Sequence, residues 1–407
     1  MAPQTTQWKE LLDRLAELPR ENGSPELQRA LEFLSEVLLR AGADVERIAF
    51  TAQPYALRMI GVIALVGGLV YARLARERRW WAALAVSLLA PLLVVGQVDQ
   101  LAPLLGRIGA QTQQHLAARI APEQVEQRLI FAAHYDTKTD VLDHVERTPA
   151  LAAAVVVAPL LLLAALCGAL CRDPARVRGL RALLRLCPWL AVLSGTLIFA
   201  SLSAGAFAPR RSPGALDDGA ACAVLVRLVE ALEAAPTLRR TEVEVLLFSA
   251  EEMAAQGSWA YARERFAAPP ALPTALVNLE VLGASADHAV LGSEQFALRS
   301  FAPTPALVER LAEVHRAALG RDLAVTWYGG ITDARSFLAH GIPAATVMSR
   351  EAGVLFLRGL HSADDDRSRV DTAALESSLA FLLAFARDVD ERGLPAAPGA
   401  SAEAELR

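Results

Sequence analysis

One short stretch indicates how this chain folds: Arg128-Leu-Ile-Phe-Ala-Ala-His-Tyr-Asp136. The run from Arg128 to Ala133 is short and mostly apolar, which is typical of a strand buried on both faces. His134 and Asp136 follow it directly. In an open parallel sheet, ligands bind outside the carboxyl ends of the strands, so polar residues placed here are candidates for a functional site.

Further segments extend this pattern along the chain. Three more short apolar runs predict buried strands: Glu242 to Phe248, Ala275 to Leu279 and Ala344 to Met348. Apolar residues at helical spacing predict helices: Trp8 to Leu18, Ser24 to Ala41, Leu216 to Ala234, Trp259 to Phe266, Pro305 to Leu319, Asp333 to His340 and Thr372 to Asp388. Strands that alternate with helices predict an α/β fold with a mostly parallel sheet flanked by helices.

The chain is also unusually apolar, with 54% hydrophobic residues and a mean hydropathy of +0.31 over 407 residues. Four stretches are long and apolar enough to span a bilayer, which takes about 20 residues. They form two predicted transmembrane hairpins: Ala56 to Leu74 with Trp80 to Val98, and Pro149 to Leu170 with Leu186 to Ala208. Arg58 interrupts the first span, which leaves a buried core helix as the alternative there.

Arginines cluster inside both hairpins. They are Arg73, Arg76, Arg78 and Arg79 in the first, and Arg172, Arg176, Arg178, Arg181 and Arg185 in the second. Basic loops favour the cytoplasmic side, which predicts an integral membrane protein with four spans and an extracytoplasmic polar body. No removable signal peptide precedes the first hairpin, so the hairpin itself is expected to direct insertion.

The hairpins divide the chain into six predicted parts. These are the N-terminal helices (1–54), hairpin 1 (55–98), a segment with the first buried strand (99–148), hairpin 2 (149–208), the remaining strands and helices (209–391) and a disordered tail (392–407). The net charge of −5 and the absence of long basic runs outside the hairpins argue against nucleic acid as a partner. The four cysteines indicate no disulfide framework, and the sequence does not indicate an oligomeric state.

Ionisable residues recur after the predicted strands. Glu251 and Glu252 follow the second strand, Glu280 ends the third, and Asp217, Asp218 and His361 lie in loops. Each has an ordinary alternative when it is taken alone. Either aspartate could cap the following helix, Glu251 and Glu252 could be acids of a first helical turn, His134 could be a core histidine, and His361 a solvated loop residue.

Taken together, these residues are more informative than any one of them alone. Two histidines and three carboxylates, His134, Asp217, Glu252, Glu280 and His361, are suitable ligands for two zinc ions that share one carboxylate. Paired metals of this kind lie about 3.5–4 Å apart and activate a bridging water. Glu251 would then be the general base, and Asp136 would orient a ligand.

The ordered motifs resemble those of the co-catalytic zinc aminopeptidases, metallopeptidase family twenty-eight. They are His134-Tyr135-Asp136, Gly214-Ala215-Leu216-Asp217-Asp218-Gly219, Ser249-Ala250-Glu251-Glu252, Asn278-Leu279-Glu280 and His361-Ser362. The resemblance implies that His134, Asp217 and Glu280 bind one zinc and that Asp217, Glu252 and His361 bind the other. It also implies that Glu251 is the base.

The resemblance extends beyond these motifs but does not include the spans. Thr332-Asp333, Phe337, Gly341-Ile342-Pro343 and the segment from Leu11 to Arg40 are similar to family segments. Inserted spans resemble the multispanning endoplasmic-reticulum branch. Glu280 is a departure, because many members have Asp there, and the Asp217 loop continues Asp-Asp-Gly-Ala-Ala, where a Ser-Gly pair is common.

Three functions follow as hypotheses. The first is a zinc exopeptidase, and specifically an aminopeptidase, in which a metal-bridging hydroxide attacks the peptide substrate and Tyr328 is a candidate contact. The second is an acyltransferase similar to the glutaminyl cyclases, which use one zinc; the presence of His134 argues against it. The third is a non-catalytic membrane scaffold, against which the complete ligand set argues.

Overall fold

The computed structural model describes residues 4–100, 105, 109–171, 178–235, 237–327, 329–351 and 357–395. Within them, the helices are α1 (Gln4–Ala16), α2 (Pro25–Arg40), α3 (Ala56–Arg76), α4 (Trp80–Val98), α5 (His144–Leu170), α6 (Arg178–Leu202), α7 (Ala220–Ala234), α8 (Gln256–Arg265), α9 (Pro305–Leu319), α10 (Ala334–Ala339) and α11 (Thr372–Arg392). The strands are β1 (Asp44–Ala52), β2 (Gln111–Ile120), β3 (Gln127–His134), β4 (Thr241–Phe248), β5 (Thr274–Glu280), β6 (His288–Val290), β7 (Ser293–Gln295), β8 (Ser300–Phe301), β9 (Ala324–Val325), β10 (Gly329–Gly330) and β11 (Ala344–Ser349).

An eight-stranded sheet forms the centre of the molecule, with the order β1-β2-β4-β3-β5-β11-β6-β9. The four central strands β4, β3, β5 and β11 run parallel. Antiparallel pairs add β1 and β2 at one side and β6 at the other. The α/β fold predicted from the sequence is therefore confirmed. Its central strands are parallel, and antiparallel strands lie towards its edges.

Helices cover both faces of the sheet, as the alternation of side chains along β3 requires. Leu129, Phe131 and Ala133 pack in the larger core, with α1, α2, α7, α9 and α11. Ile130 and Ala132 pack in the smaller core, with α8 and α10. Because both faces of the parallel strands are buried, their sequences are continuously apolar rather than alternating.

Helix α2 shows how local sequence sets an element boundary. The Ser24 hydroxyl accepts a hydrogen bond from the Leu27 amide at 3.2 Å, and Pro25 occupies the first helical turn. This confirms the helix start that the Ser-Pro-Glu pattern predicts.

Four of the described helices, α3 to α6, are long and apolar enough to cross a membrane, which is consistent with an integral membrane protein. Their outward faces carry exposed apolar side chains, such as Leu92 at 66% and Val155 at 71% exposure. Arg58 lies in the first turn of α3 and pairs with Glu21 at 2.8 Å. It therefore sits at the end of the helix and does not interrupt a span.

The limits of the second hairpin differ from the sequence prediction. Helix α5 begins at His144, before Pro149, and α6 ends at Leu202 rather than at Ala208. A separate 3-10 turn, Ala204–Phe207, brings the chain back to the body, where Gly205 lies against the Thr139 carbonyl. Arg181 and Arg185 lie within α6 and not in a loop, whereas Arg172 and Arg176 lie outside the described residues.

Candidate metal centre

The parallel strands bring the predicted ligands to one edge of the sheet. His134 is the last residue of β3 and Glu280 the last residue of β5. Glu251 and Glu252 follow the end of β4 after Ala250, which has a positive φ of 63° and turns the chain. These strands are neighbours, so three segments that are distant in sequence converge at their carboxyl ends.

Asp217 and Asp218 lie in a non-helical segment just before α7, joined by a cis peptide bond. The Asp218 carboxylate accepts hydrogen bonds from the amides of His134 at 3.3 Å and Val281 at 3.0 Å. It therefore holds the ends of β3 and β5 together. Asp365 accepts from the amides of Leu216 at 2.8 Å and Asp217 at 3.2 Å, which fixes the loop from the other side.

Asp217 lies between the two histidines. Its Oδ1 is 3.2 Å from His134 Nε2, and its Oδ2 is 3.1 Å from His361 Nε2. Glu280 Oε1 is 3.5 Å from His134 Nε2, and Glu252 Oε1 is 2.9 Å from His361 Nε2. The five side chains thus form two groups of three with a shared Asp217, and within each group the ligand atoms lie within 4.8 Å of one another.

The hydrogen bonding of these groups is incomplete. Among the described residues, the buried atoms His134 Nε2, Glu252 Oε1 and Glu280 Oε2 have no hydrogen-bond partner, although other polar atoms lie close by. Buried lone pairs without partners are costly unless a ligand satisfies them. Converging imidazole and carboxylate atoms of this kind fit a divalent cation such as zinc.

Proton affinities in the cluster are strongly perturbed. Burial raises the pKa of Glu280 to about 7. Burial also raises the pKa of Glu251 well above its usual range, against the opposing effect of His134. Burial lowers the pKa of His134, but bonding to neighbouring carboxylates outweighs it and the net pKa is raised. Without a cation the site therefore binds protons, which a metal ion would displace.

A buried residue next to the predicted ligands, Asp136, contacts two of them and fixes their orientation. Asp136 accepts from the amides of Glu251 at 3.2 Å and Glu252 at 3.1 Å, and from Asn22 Nδ2 at 2.6 Å. Its carbonyl lies 3.1 Å from His134 Nδ1. Asp136 therefore connects the end of β3 to the turn after β4.

Glu251 is the remaining carboxylate of the site. Its Oε2 lies 3.9 Å from His134 Nε2, and its side chain is buried. It belongs to neither of the two groups of three side chains that could hold a metal ion.

The ordinary alternatives for single residues do not fit this geometry. Asp217 and Asp218 do not cap α7, whose N-cap is Gly219 without a side-chain bond. Glu251 and Glu252 precede the start of α8 at Gln256, so they are not first-turn acids. His361 is 5% exposed and is not a solvated loop residue.

Sequence reasoning missed two buried carboxylates beside the site. Asp140 Oδ2 lies 2.9 Å from His361 Nδ1, and Asp365 binds the Asp217 loop as described above. Asp140 lies only six residues after His134, so its place in the same loop was an available signal. Tyr328, the predicted substrate contact, lies outside the described residues.

Comparison with known families agrees with this architecture. Residues 201–386, which include the Asp217 loop, Glu251, Glu252, Glu280 and His361, match the model of peptidase family M28. The match covers the segment that holds these residues and supports the M28 family for this part of the chain. No curated protein matches the chain in sequence.

Solved structures extend the likeness over most of the length of the chain. A glutaminyl cyclase from Fimbriiglobus ruber has a TM-score of 0.56 and 15% identity, covering 95% of this chain and 96% of that one. An aminopeptidase from Aneurinibacillus sp. strain AM-1 has a TM-score of 0.53 and 15% identity, with 95% and 93% covered. A Zn-dependent exopeptidase from Parabacteroides distasonis has a TM-score of 0.52 and 14% identity, with 95% and 97% covered. At these identities the likeness shows the zinc peptidase fold. Assignment to the endoplasmic-reticulum branch stays a prediction.

Proposed function

We propose that this protein is a membrane-anchored zinc-dependent exopeptidase, specifically an aminopeptidase, with Glu251 as its general base. One observation carries the proposal: two groups of three buried ligands share Asp217, and a further buried carboxylate lies beside them. The family and the fold support peptide-bond hydrolysis as the chemistry.

The two ligand groups would each hold one zinc ion. His134, Asp217 and Glu280 form the first group, and Asp217, Glu252 and His361 the second. Histidine nitrogen and carboxylate oxygen are ligands that zinc accepts, and three protein ligands per ion leave a position for water or substrate. The shared Asp217 offers one carboxylate oxygen to each group, which supports two ions rather than one.

When bound, the zinc ions lower the pKa of water and polarise the scissile carbonyl. Glu251 takes the proton from the attacking water and passes it to the leaving amine. Its burial supports this role, because burial raises the pKa of the Glu251 carboxyl and so makes the carboxylate a stronger base. Asp136 keeps the Glu251 and Glu252 backbone in place through two accepted hydrogen bonds, so the base and its neighbouring ligand stay aligned.

The surroundings of this site include the membrane segments. We infer a single peptidase domain, interrupted by hairpin 1 (55–98) and hairpin 2 (149–208), with its catalytic side outside the cytoplasm. Four long apolar helices support the anchoring, and the arginines within the hairpins support the sidedness. Peptides are the expected substrates.

A combined measurement of zinc content and turnover tests the proposal. The purified full-length protein is expected to bind two zinc ions and to cleave aminoacyl substrates, but not the same substrates with an acetylated N-terminus. Glu251→Gln is expected to keep both ions and to lose about 10²–10⁴-fold in kcat. Glu294→Gln is the matched control, because it changes a buried carboxylate outside both ligand groups.

Other outcomes identify the rival functions. One bound zinc, with cyclisation of an N-terminal glutamine peptide and no hydrolysis, would indicate an activity like that of the glutaminyl cyclases that share the fold. No bound zinc and no turnover would indicate a scaffold.

A further inference from the structure

The start of membrane helix α5 contacts the loop that carries His361. Asp140, Asp143 and Arg147 all lie between the ligand His134 and the ligand Asp217, in the segment that leads into hairpin 2. Each makes a polar contact with residues 357–361 or with a group that binds them.

The contact between Asp140 and His361 has two points. The Asp140 amide donates to the His361 carbonyl at 2.8 Å, and His361 Nδ1 lies 2.9 Å from Asp140 Oδ2. The imidazole is thereby fixed with Nε2 towards Asp217 and Glu252. A carboxylate on the second nitrogen of a ligand histidine sets its tautomer and raises its basicity.

Arg147 connects this pair to the membrane helix. It lies in the first turns of α5, and its Nη1 donates to Asp140 Oδ2 at 2.6 Å. Lys138 Nζ donates to the same oxygen at 2.8 Å. The side chains of Asp140 and Arg147 are only 2% and 15% exposed, so their attraction is little screened by solvent.

The helix start supplies an independent contact to the same loop. Asp143 is the N-cap of α5 in a capping box with Glu146, and its Oδ2 also accepts from the Gly359 amide at 3.2 Å. His361 has a φ of 61°, a left-handed conformation that is costly for a residue with a side chain and persists where surrounding contacts impose it. The contacts that Asp140 and Asp143 make with this loop hold His361 in that conformation.

We propose that the N-terminal turns of membrane helix α5 position the zinc ligand His361, with Asp140 and Arg147 as positioning residues. The inference rests on the proposed zinc site. It adds that the binding of one of the two zinc ions depends on the position of the membrane hairpin. Displacement of α5 would turn the His361 ring and weaken the ion held by Asp217, Glu252 and His361. The ion held by His134, Asp217 and Glu280 would be affected less, because His134 Nδ1 lies against Asp136, outside the hairpin.

Metal-binding measurements on the full-length protein in lipid nanodiscs test this. Zinc affinities are determined by competition with a chelator, and cobalt(II) absorption reports the ligand geometry without any need for turnover. Arg147→Gln and Asp140→Asn are each expected to weaken the binding of one of the two ions about 10–100-fold and to affect the other ion less. Arg147→Lys keeps the positive charge near Asp140 and is expected to recover part of the loss.

Arg58→Gln is the matched control. Arg58 is also an arginine in the first turn of a membrane helix, and its ion pair with Glu21 connects hairpin 1 to the body without touching a metal ligand. The Arg58→Gln variant is expected to leave both zinc affinities unchanged.

Wild-type affinities for both ions in Arg147→Gln and Asp140→Asn would overturn the inference, as would an equal loss of affinity for both ions. A wild-type protein that binds no zinc would instead overturn the proposed function itself.

Discussion

The Asp136 carboxylate accepts a hydrogen bond from the Glu251 amide at 3.2 Å, although the two residues are 115 positions apart in the chain. The bond joins the segment after β3 to the turn after β4. A charged acceptor strengthens such a bond, particularly where burial excludes water. The backbone of the proposed base is thus held in place by Asp136.

Asp136→Asn is expected to disturb this connection. The asparagine side chain has one carbonyl oxygen and an NH2 group, so it cannot accept from both backbone amides that Asp136 now binds. Zinc affinity or kcat is expected to fall about 10–100-fold, as measured by chelator competition and by kinetics at saturating zinc. Asn22→Ser removes only the third hydrogen bond to Asp136 and is expected to have the smaller effect. Equal effects of the two variants would contradict this explanation.

Arg20→Met is expected to destabilise the whole peptidase body. Arg20 is completely buried and donates to backbone carbonyls in three separate segments, namely Leu15, Tyr135, and Pro213 with Gly214. Methionine fills similar space but leaves these acceptors without partners, at a cost of about 1–3 kcal/mol for each buried group that stays unsatisfied. The free energy of unfolding is therefore expected to fall by at least about 3 kcal/mol, measured as a lower melting temperature in detergent. Arg14→Met, at an exposed arginine of α1, is expected to change it by less than about 0.5 kcal/mol.

The central strands could be predicted because buried parallel strands are continuously apolar. The segments predicted for β3, β4, β5 and β11 agree with the structure to within one residue at each end. The residues that follow those strands were correctly expected at one edge of the sheet, because parallel strands place their carboxyl ends together. The structure brings His134, Asp217, Glu252, Glu280 and His361 together there, and their role as metal ligands stays a prediction.

The edge strands and the contacts behind the ligands could not be predicted in this way. Strands β1 and β2 contain polar residues throughout and pair antiparallel, so they lack the apolar signal of the central strands. Asp140 and His361 are 221 positions apart, and their contact arises only from the tertiary fold. The start of α6 was missed because the apolar span alone was considered, whereas the first turns of the helix carry arginines.

Glu294→Gln is expected to remove part of the pH dependence of stability. Burial raises the pKa of Glu294 to about 7 from an ordinary value of 4.5, against hydrogen bonds from Thr346 and Thr332. Between these values the folded protein binds more protons at this position than the unfolded chain does. The free energy of unfolding that Glu294 contributes therefore falls as pH rises from about 4.5 to about 7. Above that range the contribution of Glu294 no longer changes with pH.

Melting temperatures of both proteins between pH 4.5 and 8 test this prediction. The variant is expected to gain stability relative to the wild type as pH rises through the window, by an amount of the order of 3 kcal/mol. Because the other titrating groups are common to both proteins, the difference reports Glu294. A constant difference across the window would show that its ionisation is not linked to folding.

The sidedness prediction can be tested with a native cysteine. Cys171 is exposed directly after α5, within hairpin 2; Cys167 is half-buried within α5, and Cys187 and Cys222 are buried. If the arginine-rich hairpin ends face the cytoplasm, a membrane-impermeant maleimide will label Cys171 only after the membrane is opened, and Cys171→Ser will abolish that labelling. Glu264→Cys in the Cys171→Ser background places a thiol on the exposed side of α8, in the peptidase body, and is expected to react in intact cells or spheroplasts. The reverse pattern would place the zinc site in the cytoplasm, and the substrates would then be sought among cytoplasmic peptides.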